Sequence, residues 1–205
     1  MVDWSQIVYH RDQIHERYPA IWDLPIVRRR TRFVQSYLRP GMRMLDVGAW
    51  ERKMGTQITG INSGIVYKSM DVDRNLFHDF YSLDEIEERF DLITFFEVIE
   101  HLELEQGIEM LGRLKQLLVD GGLLFISTPN VYNPTRFLLD ATHKVAYSYE
   151  ELGGFLLSQG FKIQEIYRTY NASFLKYFLR LTLFNPLHKI VQVDFARSIL
   201  IVAAA

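Results

Sequence analysis

The sequence predicts an α/β protein built on a doubly wound, mostly parallel sheet with an antiparallel strand at its C-terminal end. Three observations carry that prediction. Short apolar runs alternate with longer amphipathic ones once "LRPGM" has broken the opening pattern. Two of the short runs, "LITFF" and "LLFIS", are apolar on successive residues, as strands covered on both faces must be. The last part changes rhythm: "FKIQEIYRTYN", a helical stretch over Phe174–Phe184 and "FARSILIVAAA" read as strand, helix, strand, closing as a hairpin at one sheet edge.

Taken in order, Trp4–Tyr18 and Leu24–Leu38 suit two leading helices, which Pro40 and Gly41 end. The strands expected are Arg43–Val47, Gly64–Met70, Phe90–Phe96, Gly122–Ser127, Phe161–Tyr167 and Ser198–Ala203. Between them Ser82–Glu88, Glu100–Leu118 and Tyr147–Ser158 read as helices. No repeat or Gly/Ser-rich linker divides the chain, so residues 1–205 are expected to form a single domain with 1–40 as an N-terminal helical extension.

Composition excludes several classes. A chain of 205 residues that is 48% hydrophobic and 23% charged can bury a full core, so it is not a disordered chain. A formal net charge of -2 gives no overall attraction to nucleic acid or anionic membrane, and any such partner needs a local patch. With no cysteine there are no disulfides, thiolate zinc sites or cysteine nucleophiles, which fits a reducing compartment. "MVDWSQIVYHRDQIHERY" is too charged for a signal peptide, and no apolar run reaches the roughly 18 residues of a membrane span. The expectation is a cytoplasmic protein.

In an open α/β sheet, ligands sit beyond the carboxyl ends of the strands. Acids fall at such ends here: Asp46 before Gly48, Asp71 in "VYKSMDVD", Asp79 in "FHDFYSL" and Glu97 closing "DLITFFEV". A carboxylate ending the second strand can accept both hydroxyls of a ribose. A capping pair in a solvent loop is the other reading of Asp71 and Asp73.

"LDVGA", "MDVD", "HDF", "FDLITFFEVIEHL", "LLVDGGLLFISTPN" and "LLSQGFKIQEI" occur in this order over roughly Met42 to Tyr167. Together they resemble the class I S-adenosylmethionine-dependent methyltransferases, whose fold is Rossmann-like. The resemblance implies S-adenosylmethionine as cofactor, with Asp46, Gly48 and Ala49 at its methionine end. It also implies Asp71 on the ribose, Asp79 on the adenine amino group, Val72 and Phe80 flanking the ring, and Glu97 beside the cofactor. The family's loop after the first strand is G-x-G-x-G, whereas this chain has "GAWERKMG". Only Gly48 matches; Trp50 and Arg52 hold the other two positions. Either the loop bulges so that Gly55 takes over the tight turn, which is the expectation here, or Trp50 fills the pocket and the fold persists without chemistry.

"EVIEHL" places Glu97, Glu100 and His101 three and four residues apart at a strand-to-helix junction. A helical turn would set them on one side. Oxygen and imidazole ligands suit Mg, Mn, Zn or Fe. The stretch is similar to one in small-RNA 2′-O-methyltransferases, where it holds a divalent ion with a further histidine, and to ubiquinone-pathway O-methyltransferases. His143, after the "TPN" loop, is the candidate fourth ligand beside Glu97, Glu100 and His101. Other methyltransferases of this fold carry a similar Glu-His pair without metal. Without metal, His101 or His143 would be the general base.

"RRRTR" gathers Arg28, Arg29, Arg30 and Arg32, and reads either as a phosphate-binding patch or, more commonly, as the solvated face of a helix. The basic amphipathic stretch 174–190 suits peripheral membrane contact, a lid or a dimer face. "TPNVYNPTRF" is placed to help form the acceptor pocket. The function expected is methyl transfer to an oxygen of a small-molecule, glycan or lipid-linked acceptor. The alternatives are a non-catalytic protein of the same fold and an RNA 2′-O-methyltransferase. The lack of any recognisable RNA-binding appendage argues against long nucleic acid as a partner.

Overall fold

The apolar strands fix the architecture. In β4 (Phe90–Phe96) and β7 (Ser198–Ala204), side chains on both faces are buried almost without a break, which only a sheet sandwiched between helical layers allows. The computed structural model describes residues 4–61, 64–170 and 174–205. Its other strands are β1 (Ile26–Val27), β2 (Arg43–Val47), β3 (Val66–Met70), β5 (Leu118–Pro129) and β6 (Lys162–Thr169). The helices are α1 (Trp4–Arg17), α2 (Arg30–Gln35), α3 (Lys53–Ile61), α4 (Leu104–Gln116), α5 (Pro134–Leu138), α6 (Tyr149–Ser158), α7 (Phe174–Thr182) and α8 (Asn185–Ile190).

The sheet runs in the order β1-β6-β7-β5-β4-β2-β3, parallel except for β7, which is antiparallel to both β5 and β6. This is the doubly wound, mostly parallel α/β fold with an antiparallel C-terminal strand. The strand order reverses beside β2, which pairs with β3 on one side and β4 on the other. A crevice at the carboxyl ends of β2 and β4 is therefore the place for a ligand. α1 and α6 pack closely because "LGGF" offers no side chain at the crossing: a Cβ on Gly154 would stand 3.1 Å from the Arg11 backbone nitrogen.

Several elements differ from the sequence reading, each for a local reason. The helix expected over Leu24–Leu38 is broken by Pro25, leaving the short strand β1 and a helix of six residues, α2. The leading segment thus contributes strand as well as helix. Ser82–Glu88 forms only one 3₁₀ turn, Leu83–Glu85, because Phe90 must already begin β4. α4 starts at Leu104 rather than Glu100, with extended Leu102 separating it from a 3₁₀ turn over Ile99–His101. α3 and α5 fall outside the helices the sequence predicts, and the basic amphipathic stretch 174–190 forms two helices, α7 and α8. β7 inserts between β5 and β6 instead of closing an edge hairpin, and the edge beyond β6 is β1. Among the described residues no helix is long and apolar enough to cross a membrane.

Candidate active site at the carboxyl edge

The loop after β2 is built by three left-handed residues. Gly48 has φ 75°, and a Cβ there would run into the Val98 side chain, so this position accepts only glycine. Trp50 and Arg52 have φ 42° and 57°, a conformation costly for side-chain-bearing residues. Gly55 does not make the turn; it lies inside α3, where a Cβ would strike the Tyr67 ring. The expectation for Gly55 is thereby corrected: Trp50 and Arg52 themselves supply the bend.

Contacts hold that loop. The Trp50 amide donates to Asp71 Oδ2 at 2.8 Å, and Arg52 reaches Asp79 Oδ2 at 3.3 Å while lying over the Tyr67 and Phe77 rings. The Trp50 indole is 62% exposed, with the Lys53 ammonium 5.1 Å from its ring, so it does not fill the crevice.

The acids divide by their partners. Asp46 is buried in β2, accepting from Tyr67 Oη at 2.9 Å and Thr94 Oγ1 at 2.8 Å; burial pushes its carboxyl up to about 6 against the pull of those donors and of Arg30. Asp71, half-buried, accepts from the Trp50 and Asp73 amides. With one bond to each oxygen it keeps lone pairs for ribose hydroxyls. Asp79 is engaged by Ser69 N at 2.9 Å, Ser69 Oγ at 3.0 Å and Lys68 Nζ at 3.2 Å. Burial would raise its carboxyl, but those donors and Arg52 outweigh burial and hold it below the usual range. Asp79 therefore pins its own loop to β3, and an adenine amino group would have to displace one of these donors.

Beside Asp71 opens a hollow of about 850 Å³, lined by Val72, Leu83, Leu102, Met110 and Tyr81 among others. Val72 is there as expected; Phe80 instead packs against the core and hydrogen-bonds to Ser69 through its backbone. Leu102 and Met110 carried no signal in the sequence, since they reach the hollow only once α4 is docked.

On the other side of β4 lies a second cavity of about 880 Å³, containing Glu97, Glu100, Asp140 and His143. Glu97 has φ 55°, turning its carboxylate to accept from Ser127 Oγ at 2.6 Å and Arg30 at 3.4 Å. Glu100 is fully buried; Thr128 Oγ1 donates to Oε2 at 3.3 Å, and Oε1 has no hydrogen-bond partner among the described residues. Burial first, then the charge of Glu97, pushes its carboxyl up to about 8.

The two histidines are oriented by their neighbours. His143 Nδ1 lies 2.8 Å from the Phe137 carbonyl, which can only accept, so the proton sits on Nδ1 and Nε2 carries the lone pair, with Asp140 Oδ2 3.9 Å away. Thr142 Oγ1 donates to Asp140 at 2.6 Å and lies 2.9 Å from His101 Nδ1, which accordingly donates to it. The rings meet edge to face with centroids 4.8 Å apart. Glu100, His101 and His143 each offer a ligand atom within 4.8 Å of the others. Glu97, expected as a fourth ligand, is not part of that group.

The family model described as a methyltransferase domain matches residues 15–176, and the chain belongs to that family. Solved structures share the fold. A SAM-dependent methyltransferase from Archaeoglobus fulgidus is 18% identical, covering 86% of this chain and 91% of that one, with TM-score 0.69. A cyclopropane synthase from Mycobacterium tuberculosis is 13% identical over 86% and 83% of the chains, with TM-score 0.60. A Haemonchus contortus phosphoethanolamine N-methyltransferase in complex with S-adenosyl-L-methionine is 13% identical over 85% of this chain and 51% of its own, with TM-score 0.58. No curated protein matches the sequence significantly. The fold and domain are thus those of S-adenosylmethionine-dependent methyltransferases; the activities named differ, so the fold does not select an acceptor.

Proposed function

We propose that the protein moves a methyl group from S-adenosylmethionine to an oxygen of a small-molecule, glycan or lipid-linked acceptor bound in the cavity beside Glu97. The observation carrying this reading is His143, whose Nδ1 is held by the Phe137 carbonyl so that Nε2 keeps its lone pair, in a cavity that borders the switch point of the sheet. The residues present suit the cofactor: Asp71 has lone pairs to spare, and a hollow with Val72, Leu83, Leu102 and Met110 in its wall lies next to it. When bound, the cofactor supplies an activated methyl group. Asp71 would hold the ribose, Val72 and Leu102 would cover the adenine, and Gly48 would let the backbone approach. His143 takes the acceptor's hydroxyl proton at Nε2, and the cavity walls hold the oxygen in line.

Glu100, His101 and His143 also make a set suited to Mg, Mn or Zn, supported by their proximity and the unpartnered Glu100 Oε1. A metal there would lower the acceptor oxygen's pKa. Metal content of the purified protein against Glu100→Gln decides it: equal content removes Glu100 as a ligand. The cofactor is tested by thermal shift, since ligand at about 100 times its Kd stabilises by roughly 2.7 kcal/mol. No shift with either S-adenosylmethionine or S-adenosylhomocysteine would leave a non-catalytic protein of the same fold. The exposed Leu175, Phe178, Leu183, Leu187 and Ile190 on and between α7 and α8 support peripheral membrane contact.

A further inference from the structure

The cavity that holds Glu97 and His143 is also rimmed by six arginines: Arg28, Arg29, Arg30, Arg32, Arg136 and Arg197. They come from three distant parts of the chain, and the topology explains their meeting. β1 runs parallel to β6, so the chain leaves Val27 at the carboxyl edge and lays Arg28–Arg32 there. Arg136 follows β5 in α5. β7 is antiparallel, so Arg197, just before it, starts from the same edge. A solvated helix face would need no such convergence.

Among the described residues, four of these charges are not cancelled by an acid. Arg30 is paired with Glu97 at 3.4 Å, and the Arg28 guanidinium lies 4.9 Å from the centre of the Tyr177 ring. Among the described residues Arg29, Arg32, Arg136 and Arg197 have no ion-pair partner, and Arg136 Nε is a buried donor with no hydrogen bond. Of the three acids in the cavity, Glu97 is taken by Arg30 and Ser127, Glu100 is buried with Thr128 donating to it, and Asp140 accepts from the Thr142 amide and hydroxyl. Gathering like charges costs free energy unless an anion answers them. A single carboxylate would neutralise one guanidinium; a phosphate or diphosphate answers several and matches their forked donors.

We infer that this cavity receives its acceptor through a phosphate or diphosphate group on the acceptor, gripped by Arg29, Arg32, Arg136 and Arg197 while the methylated oxygen lies toward His143. The inference rests on the methyltransferase reading for the word acceptor, but the anion site stands on its own geometry. The group can arrive on a soluble molecule or on a lipid, and the chemistry recognised is the same.

Calorimetric titration of the full chain with pyrophosphate, in the presence and absence of S-adenosylhomocysteine, tests it. Saturable binding is expected, weakened by salt and weakened roughly tenfold or more for each arginine removed in Arg136→Gln and Arg197→Gln. S-Adenosylhomocysteine affinity and melting temperature are expected to stay unchanged in both variants, which separates a lost site from a lost fold. Malonate is the carboxylate control. Phosphatidylcholine vesicles doped with phosphatidic acid, bound by wild type and not by the double variant, would assign the phosphate to a lipid; pyrophosphate binding without vesicle binding assigns it to a soluble acceptor. Absent pyrophosphate binding, equal binding by malonate, or variants that bind like wild type overturn the inference. Pyrophosphate binding without any S-adenosylhomocysteine binding overturns the methyltransferase reading instead, and with it the anion's role as acceptor.

Discussion

Asp46 offers a quantitative test of how the site is built. Its carboxyl is 4% exposed and is pushed up from 3.8 to about 6, chiefly by burial. Four groups act on it: Tyr67 and Thr94 donate to it, Arg30 attracts the charge and Asp71 repels it. A group whose folded pKa is raised binds its proton more tightly in the folded state. Its stabilisation is complete below pH 3.8 and is lost as pH rises through 6. The difference, 6 − 3.8 = 2.2, corresponds to about 3 kcal/mol. Asp46→Asn keeps the shape without the titration. Its amide oxygen can accept from one donor, and the hydroxyl facing its nitrogen can turn to accept.

The unfolding free energy of wild type relative to Asp46→Asn is therefore expected to fall by about 3 kcal/mol between pH 3 and pH 7, then level off. Every other titrating group is common to the two proteins, so the difference isolates this carboxyl. Urea denaturation at half-unit pH steps measures it. Two parallel curves would mean that Asp46 titrates near its ordinary value, and the buried, doubly bonded position would be refuted. S-Adenosylhomocysteine affinity in the same variant reports the second role: a large loss implies contact with the methionine end, whereas little change assigns Asp46 to holding Tyr67 and Thr94.

Gly48→Ala is expected to cost about 2–5 kcal/mol, from left-handed strain together with the clash against Val98, read as a lowered melting temperature with cofactor binding lost. Trp50→Ala is expected to change stability by no more than about 0.5 kcal/mol and to leave S-adenosylhomocysteine affinity alone, because the indole faces solvent. A marked gain in affinity would show that Trp50 obstructs the cofactor after all. Leu187→Glu with Ile190→Glu is expected to abolish co-sedimentation with anionic vesicles without shifting the melting temperature; unchanged sedimentation would remove α8 from any membrane contact.

Most of the central sheet was legible in the sequence because its signal is local. A strand covered on both faces must be apolar on consecutive residues, and "LITFF", "LLFIS" and "SILIVAA" leave no other reading once flanked by turns. What failed was decided elsewhere in the chain. The edge hairpin was misread because nothing local says that β7 will prefer the gap between β5 and β6. The helical turn imagined for Glu97, Glu100 and His101 does not form, since Glu97 takes a left-handed conformation and Leu102 is extended before α4 begins. Proximity of Glu100 to His101 survives, but through a 3₁₀ turn, and His143 is brought in by the amides of Lys144 and Val145 donating to the Glu100 carbonyl. The loop at Trp50 and Arg52 shows the same limit. Its departure from glycine was plain, yet whether bulk closes the site depends on Asp79 and Tyr67 drawing Arg52 aside.

The arginine run marks where sequence reading stops for a physical reason. On an isolated helix, Arg28–Arg32 would be solvated charge, and composition favours that view. Its meaning is set by β1, two residues pairing with Arg168 and Thr169 of β6. That pairing aims the run at the carboxyl edge, where Arg136 and Arg197 arrive by separate routes. Pro25 ends the preceding turn and makes the extended pair possible. A site of this kind is assembled by topology rather than by spacing. It follows that weakening the β1 pairing should loosen anion binding while the cofactor side, built on β2, β3 and β4, keeps its shape.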